Sequence, residues 1–201
     1  MGQITYRYKN NLYINITNQC PNNCEFCDIQ SISKHLNVDL VLQSEPDLKE
    51  IIRAINKSIV EHEFNEIVFC GGGEPLMRLN TLLATAKYID KNYSIKTRLN
   101  TIGYPAKFYK NANVAQKLAE AGFESINISV NTANATEYKE ICHPNIKNAY
   151  QKTLKFVKDC KKAGLDTRIS CVDYEVDLTK FKELAQKLDV VPIIRRYSEV
   201  S

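Results

Sequence analysis

Short β-rich runs alternate with longer helical periods along the whole chain, and this alternation constrains the fold more than any single residue does. The runs are residues 12–17 (LYINIT), 66–70 (EIVFC), 95–100, 125–130 (SINISV), 167–172 and 190–195. Helices are expected between most of them, at 81–89, 114–121, 150–163 and 180–188. Another is expected to open at Ser44, with Asp47 completing an approximate capping box and Leu48, Ile51, Ile52, Ile55 and Ile59 on one stripe. Residues 4–8 also alternate, and Asn10-Asn11 supplies a turn for a short N-terminal β-hairpin. Strands joined by single helices require βαβ crossovers and hence a parallel sheet. A closed eight-unit barrel takes about 250 residues. Six units in 201 residues predict an α/β fold with parallel strands, either a partial (βα)6 TIM-like barrel or an open doubly wound sheet. No composition break or linker divides the chain, so residues 1–201 are expected to form a single domain.

The strand faces carry a functional signal. In the first run Leu12, Ile14 and Ile16 oppose Tyr13, Asn15 and Thr17, and in the fourth Ile126, Ile128 and Val130 oppose Asn127, Ser129 and Asn131. The third sets Ile95, Thr97 and Leu99 against Lys96, Arg98 and Asn100. Parallel strands covered on both faces are nearly continuously apolar. One polar face in three strands therefore predicts a polar cavity, open at the C-terminal edge of the sheet. A net charge of +4 from 27 basic and 23 acidic residues is mild and gives no strong nucleic-acid signal. No apolar run reaches the roughly 18 residues of a membrane span. Residues 1–9 lack the apolar segment of a secretory signal, so a cytoplasmic location is expected.

Seven cysteines, three of them within eight residues, argue against a disulfide framework and for a metal or cluster site. Cys20, Cys24 and Cys27 form C-x3-C-x2-C just after the first strand. Three soft thiolates on one loop suit iron–sulfur or zinc. Structural zinc needs four ligands, and the nearest candidates, Asp28 and His35, complete no common spacing. Three ligands favour a cluster with one iron left open, while zinc and incidental cysteines remain alternatives.

Cys70-Gly71-Gly72-Gly73-Glu74-Pro75 ends the second strand. Glycines let a backbone approach a ligand and expose its polar groups, although a run of glycine alone also suits a plain turn. The spacing matches neither a P-loop nor G-x-G-x-x-G.

Taken together, C-x3-C-x2-C with Phe26 before its last cysteine and G-G-E-P after the second strand resemble the radical S-adenosylmethionine (SAM) superfamily, and the resemblance spans the chain. Residues 12–27 (LYINITNQCPNNCEFC), the short length and residues 140–144 (EICHP) look most like the small TatD-associated members. The resemblance implies that Cys20, Cys24 and Cys27 ligate a [4Fe–4S] cluster whose fourth iron is chelated by the amine and carboxylate of SAM. Gly72, Gly73 and Glu74 then correspond to the motif that holds the SAM amino group, and Phe26 packs near the adenine. Asn100, Ser129 and Asn131, on the polar face near strand ends, are candidates for the ribose and carboxylate. Arg195 or Arg196 would pair with the carboxylate. The implied chemistry is reductive cleavage of SAM to a 5′-deoxyadenosyl radical that abstracts hydrogen from an unidentified substrate, fed by a flavodoxin- or ferredoxin-type one-electron donor.

Several residues carry plainer expectations. Cys70, Cys160 and Cys171 read as small buried hydrophobes. His35 and His62 read as solvated, as does the lysine group 155, 158, 161 and 162. Cys142 and His143 suit either acid–base or binding work at the open edge or a structural role. Substrate selection is expected from loops 28–43 and 101–112, segment 132–149, or a partner. A glycyl-radical-enzyme activase, a deazapurine-synthase-like enzyme and a non-catalytic iron–sulfur or zinc module are the alternatives.

Overall fold

The computed structural model describes residues 2–104 and 113–197. A hairpin of β1 (Thr5–Tyr8) and β2 (Asn11–Ile14) opens the chain. Five more strands follow: β3 (Glu66–Phe69), β4 (Lys96–Thr101), β5 (Ser125–Ser129), β6 (Asp166–Val172) and β7 (Val191–Arg195). The seven strands form one sheet in sequential order. Only β1 is antiparallel; β2 to β7 are all parallel. Helices α2 (Leu48–Glu61), α3 (Leu79–Asn92), α4 (Val114–Glu120), α6 (Ala149–Lys162) and α7 (Leu178–Leu188) make the crossovers. Among the described residues the sheet stays open, with β7 paired to β6 alone. This is the partial barrel that the alternation predicts, with the N-terminal hairpin in place.

The apolar strand faces and helix stripes build the core. Leu12, Ile14, Ile67, Phe69, Leu99, Ile126, Ile128 and Ile169 are all buried there, with Ile51 and Ile55 of α2 against them. The opposite face is polar in register. Tyr13 pairs with Val68 and Val68 with Arg98; Asn100 pairs with Asn127 and Asn127 with Arg168. Paired residues share a face, so Tyr13, Arg98, Asn100, Asn127 and Arg168 belong to one inner surface. Arg98 is fixed there, with Nε and Nη2 each 2.9 Å from Glu66 Oε2 and Nη1 donating to Asn100 at 2.6 Å.

Two expectations need correction. The helix expected at Ser44 begins at Leu48. Pro46 holds the residue before it away from helical geometry, and Asp47 is the cap itself. Its side chain accepts from Glu50 N–H and the Glu50 side chain accepts from Asp47 N–H, both at 2.8 Å. Asp47→Ala removes one half of this box, and a loss of about 1 kcal/mol is expected, readable as a lower urea midpoint with an unchanged slope. The second correction is α1 (Ile29–Leu36), which lies inside residues 28–43, read above as a loop. Asp28 caps it by accepting from Gln30 and Ser31 N–H. A last helix, α5 (Ala135–Cys142), ends at His143, whose φ of 40° is left-handed. No described helix is long and apolar enough to cross a membrane.

Candidate functional site

The polar loop 15–27 leaves β2 at the C-terminal edge of the sheet and brings Cys20, Cys24 and Cys27 together on one short turn. All seven cysteines are free. Cys20 and Cys27 reach the surface and Cys24 is half-buried. Neighbouring atoms still crowd the sulfurs, so burial pushes the Cys20 thiol up to about 12 and the Cys27 thiol up to about 11. Cys24 rises further, through its hydrogen bonding with Cys142 and then burial. Such thiols hold their protons until a metal displaces them. Among the described residues, no three His, Cys, Asp or Glu side chains converge on a single ion. A cubane presents its irons at separate corners, so three soft donors spread along one turn fit it.

The cysteine turn rests on the end of α5. Glu25 N–H donates to Ile141 O at 3.0 Å and Asn23 N–H to Cys142 O at 3.2 Å. Asn145 N–H donates to Pro21 O at 2.9 Å, and Asn22 Nδ2 donates to the Tyr138 hydroxyl at 3.1 Å. The final carbonyls of a helix lack intrahelical partners, and here the loop N–H groups use two of them. His143 Nε2 lies 3.0 Å from Glu25 Oε1, and the Tyr174 hydroxyl donates to Glu25 Oε2 at 3.2 Å. His143 thus braces the loop from an exposed position.

The glycine loop locks onto the same segment from the other side. A Cβ on Gly71 would sit 2.0 Å from Asn15 Oδ1, and one on Gly73 would sit 2.6 Å from Gln19 O and 2.7 Å from Thr17 O. Glu74 N–H donates to Gln19 O at 2.8 Å, one residue before Cys20. The Glu74 side chain is buried, and burial raises its carboxyl above the usual range. Oε1 accepts from Leu76 N–H at 2.9 Å and Thr101 Oγ1 at 2.7 Å, and Oε2 accepts from Ile102 N–H at 2.8 Å. Three of roughly four acceptor positions on a carboxylate are thus used to tie β3 to the end of β4.

The other candidates divide. Ser129 ends β5 beside Ser170, half-exposed on the inner face. Asn100 is buried and accepts from Arg98. Asn131 is buried with a left-handed φ of 63°, and its Nδ2 donates to Cys142 Sγ at 3.4 Å. It thus faces the brace beneath the cysteine turn. Phe26 packs edge-on against Tyr174 at 6.2 Å. Arg195 ends β7 on the inner side, in register with Val172, and its charge is felt by Tyr6 and Tyr13. Arg196 lies past the strand and is exposed. Cys160 and Cys171 are buried in the core; Cys70 is half-exposed, a correction to its expected burial. Most of loop 101–112, from residue 105, lies outside the described residues.

Sequence reasoning missed Asn15 as a site residue. It is fully buried; its Oδ1 accepts from Gly72 N–H at 3.2 Å and its Nδ2 donates to Leu40 O at 2.8 Å. It fastens the glycine loop to the segment after α1. Arg78 was missed too, and its Nη1 donates to Ile16 O and Pro46 O, each at 2.8 Å. The available signal was an asparagine on the polar side of a strand that runs directly into the cysteine turn.

Comparisons with known proteins find relatives and structures of one family. The chain is 27% identical over 161 residues to GTP 3′,8-cyclase of Aliarcobacter butzleri (strain RM4018), covering 80% of this chain and 46% of that protein. It is 26% identical over 154 residues to a probable dual-specificity RNA methyltransferase RlmN of Prochlorococcus marinus subsp. pastoris, covering 74% and 41%. The chain thus spans less than half the length of these relatives. Streptococcus suis SuiB bound to SAM shares the fold, with a TM-score of 0.72 at 17% identity over 96% of this chain and 41% of that one. HydG, a maturase of the [FeFe]-hydrogenase, does so with a TM-score of 0.61 at 18% identity, covering 93% and 42%. The Radical SAM superfamily model matches residues 14–188, from the end of β2 to the end of α7. With both motif loops inside that match, the chain belongs to the radical SAM superfamily, whose enzymes work with a [4Fe–4S] cluster and SAM.

Proposed function

We propose that this chain is a radical SAM enzyme acting by hydrogen abstraction on a substrate yet to be identified, and that residues 1–201 form its single catalytic domain. The observation that carries this reading is the contact between the two motif loops. Glu74 N–H donates to Gln19 O, next to Cys20, so a ligand held by the glycine loop lies beside the cysteine turn. Cys20, Cys24 and Cys27 would hold the cluster, and when bound it supplies, with SAM, a 5′-deoxyadenosyl radical. Gly72 and Gly73 would offer backbone groups to the SAM amine, and Glu74 its remaining acceptor position. Ser129 and Arg195 line the inner face where ribose, carboxylate or substrate would lie, with Asn100 deeper. Phe26 would border the adenine from the turn itself.

The inner face of the sheet should exclude water and orient a polar substrate. Two relatives carry names that point to GTP and to RNA, so a guanine nucleotide and a structured RNA are the first substrates to offer. Radical SAM enzymes draw their electron from an external donor, here proposed to be of flavodoxin or ferredoxin type, in a reducing cytoplasm.

The test is anaerobic. The protein is reconstituted with iron and sulfide, reduced and mixed with SAM, and 5′-deoxyadenosine is quantified. The expected outcome is nucleoside formation and an EPR signal that changes when SAM is added. A stable cluster that forms no nucleoside and ignores SAM would overturn the reading in favour of an electron-carrying module, and zinc without iron uptake would overturn the cluster. Glu74→Gln should weaken SAM binding about 10- to 150-fold. That factor corresponds to the roughly 1.5–3 kcal/mol of a hydrogen bond to a charged group, and calorimetric titration of the loaded protein reads it.

A further inference from the structure

Glu45 lies between α1 and α2, two residues before the cap Asp47, and its side chain reaches the segment that enters the cysteine turn. Oε1 accepts from Thr17 Oγ1 and, at 2.9 Å, from Gln19 Nε2. Oε2 lies 3.3 Å from Arg78 Nε. Arg78 ends the short turn Pro75–Arg78 that follows the glycine loop, and its Nη1 is itself held by Ile16 O and Pro46 O. One carboxylate thus touches both of the segments whose contact carries the functional reading.

A hydroxyl has one proton to give and lone pairs to receive. Thr17, which is buried, gives its proton to Glu45 and receives Gln19 N–H at 3.0 Å. Gln19 is then fixed in three ways. Its side chain rests on Glu45, its N–H on Thr17, and its carbonyl receives Glu74 N–H at 2.8 Å. Cys20 is the next residue. Stability alone does not account for this arrangement. The Glu45 and Arg78 side chains are 33% and 18% exposed, and an ion pair that water reaches adds little. Asn18 also ties the same segment to Leu42, its Nδ2 donating to Leu42 O at 2.6 Å and its Oδ1 accepting from Leu42 N–H at 3.0 Å. The fold therefore keeps a second tie when Glu45 is removed.

We propose that Glu45 is a positioning residue for SAM binding: its Oε1 orients Thr17 and Gln19, and through the Gln19 carbonyl it sets where the glycine loop lies against the entry to the cysteine turn. The precision of a site depends on neighbours that lock its binding groups. Without the acceptor, the Thr17 hydroxyl and the Gln19 side chain are free to turn, and the glycine loop loses a fixed partner while the chain stays folded.

The inference rests on the radical SAM reading above, and the test separates the two. Iron content, visible absorption and calorimetric SAM binding of the reconstituted wild type come first; absence of a cluster or of SAM binding would overturn both. Glu45→Ala should then load a full cluster, keep a near wild-type urea midpoint in its metal-free form and bind SAM about tenfold more weakly, the low end of what an outer-shell partner contributes. Thr17→Val removes the hydroxyl and should also weaken binding. The double variant should be no weaker than the worse single one, because both residues act through Gln19. Glu45→Gln keeps an acceptor for Thr17 and Gln19 and should lie closer to wild type than to Glu45→Ala. Wild-type affinity in Glu45→Ala would overturn the proposal alone. So would losses that multiply in the double variant, or a Glu45→Gln protein as weak as alanine. Should Glu45→Ala fail to fold or to load, Thr17→Val decides: an unchanged SAM affinity there overturns the proposal.

Discussion

Cys24→Ala should reduce 5′-deoxyadenosine formation to background, a fall of more than about 100-fold, while the chain remains folded. Even loss of an outer-shell partner costs a metal site about 10–100-fold, and Cys24 is proposed as a ligand. The fold should tolerate the change because the turn is held by other bonds. Glu25 and Asn23 N–H still reach the α5 carbonyls, Asn145 N–H still reaches Pro21, and Asn22 still reaches Tyr138. Cys20→Ala and Cys27→Ala should behave alike, since both residues are exposed and their loss opens no core cavity. Cys70→Ala is the discriminating control. Cys70 is half-exposed beside the same site but lies outside the turn, so iron uptake should survive its loss. Iron per chain, visible absorption and nucleoside yield measured on all four variants check the pattern. Full iron and undiminished nucleoside in Cys24→Ala would remove the cysteine turn from the chemistry.

The parts legible in the sequence were those set by local periodicity. β5 alternates polar and apolar residues along its whole length, and β4 sets Lys96, Arg98 and Asn100 against Thr97, Leu99 and Thr101, so both strands and their inner faces could be read. α6 has its apolar stripe and Gly164, with a φ of 82°, just past its end. α1 escaped because it buries no residue completely; its signals were the cap at Asp28 and a short stripe of Ile29, Ile32 and Leu36 amid polar neighbours. The site shows the same division. Three cysteines and a glycine run are visible as spacing, because their chemistry depends on neighbours in sequence. Asn131 and Cys142 were not legible as a pair, since they meet only through the left-handed turn after β5 and the placement of α5. Asn15 shows the limit most clearly. Its position on the polar face was readable, but its two hydrogen bonds run to Gly72 and Leu40, which lie 57 and 25 residues away in sequence.

Gly73→Ala should cost about 1–3 kcal/mol of stability, the range for forcing extra atoms into a packed site, and should weaken SAM binding as well. The reason lies in what the new methyl group would meet. Gln19 O at 2.6 Å, Asn18 C at 2.7 Å and Thr17 O at 2.7 Å are all backbone atoms, and none can rotate away. The relief available is to push the glycine loop off residues 17–19, which breaks the Glu74 N–H bond to Gln19 O and disturbs the entry to Cys20. Gly72→Ala meets one short backbone contact, Leu40 O at 2.9 Å, and should cost less. Urea unfolding of the metal-free variants reads the stability order, and SAM titration of the loaded proteins reads binding. A flexible loop would give equal, small costs at both positions and leave affinity unchanged. Unequal costs, with the larger at Gly73 and a matching loss of affinity, would mean that these glycines are chosen for close approach. The run then acts as a rigid seam, through which the SAM-binding loop and the cysteine turn are held as one unit.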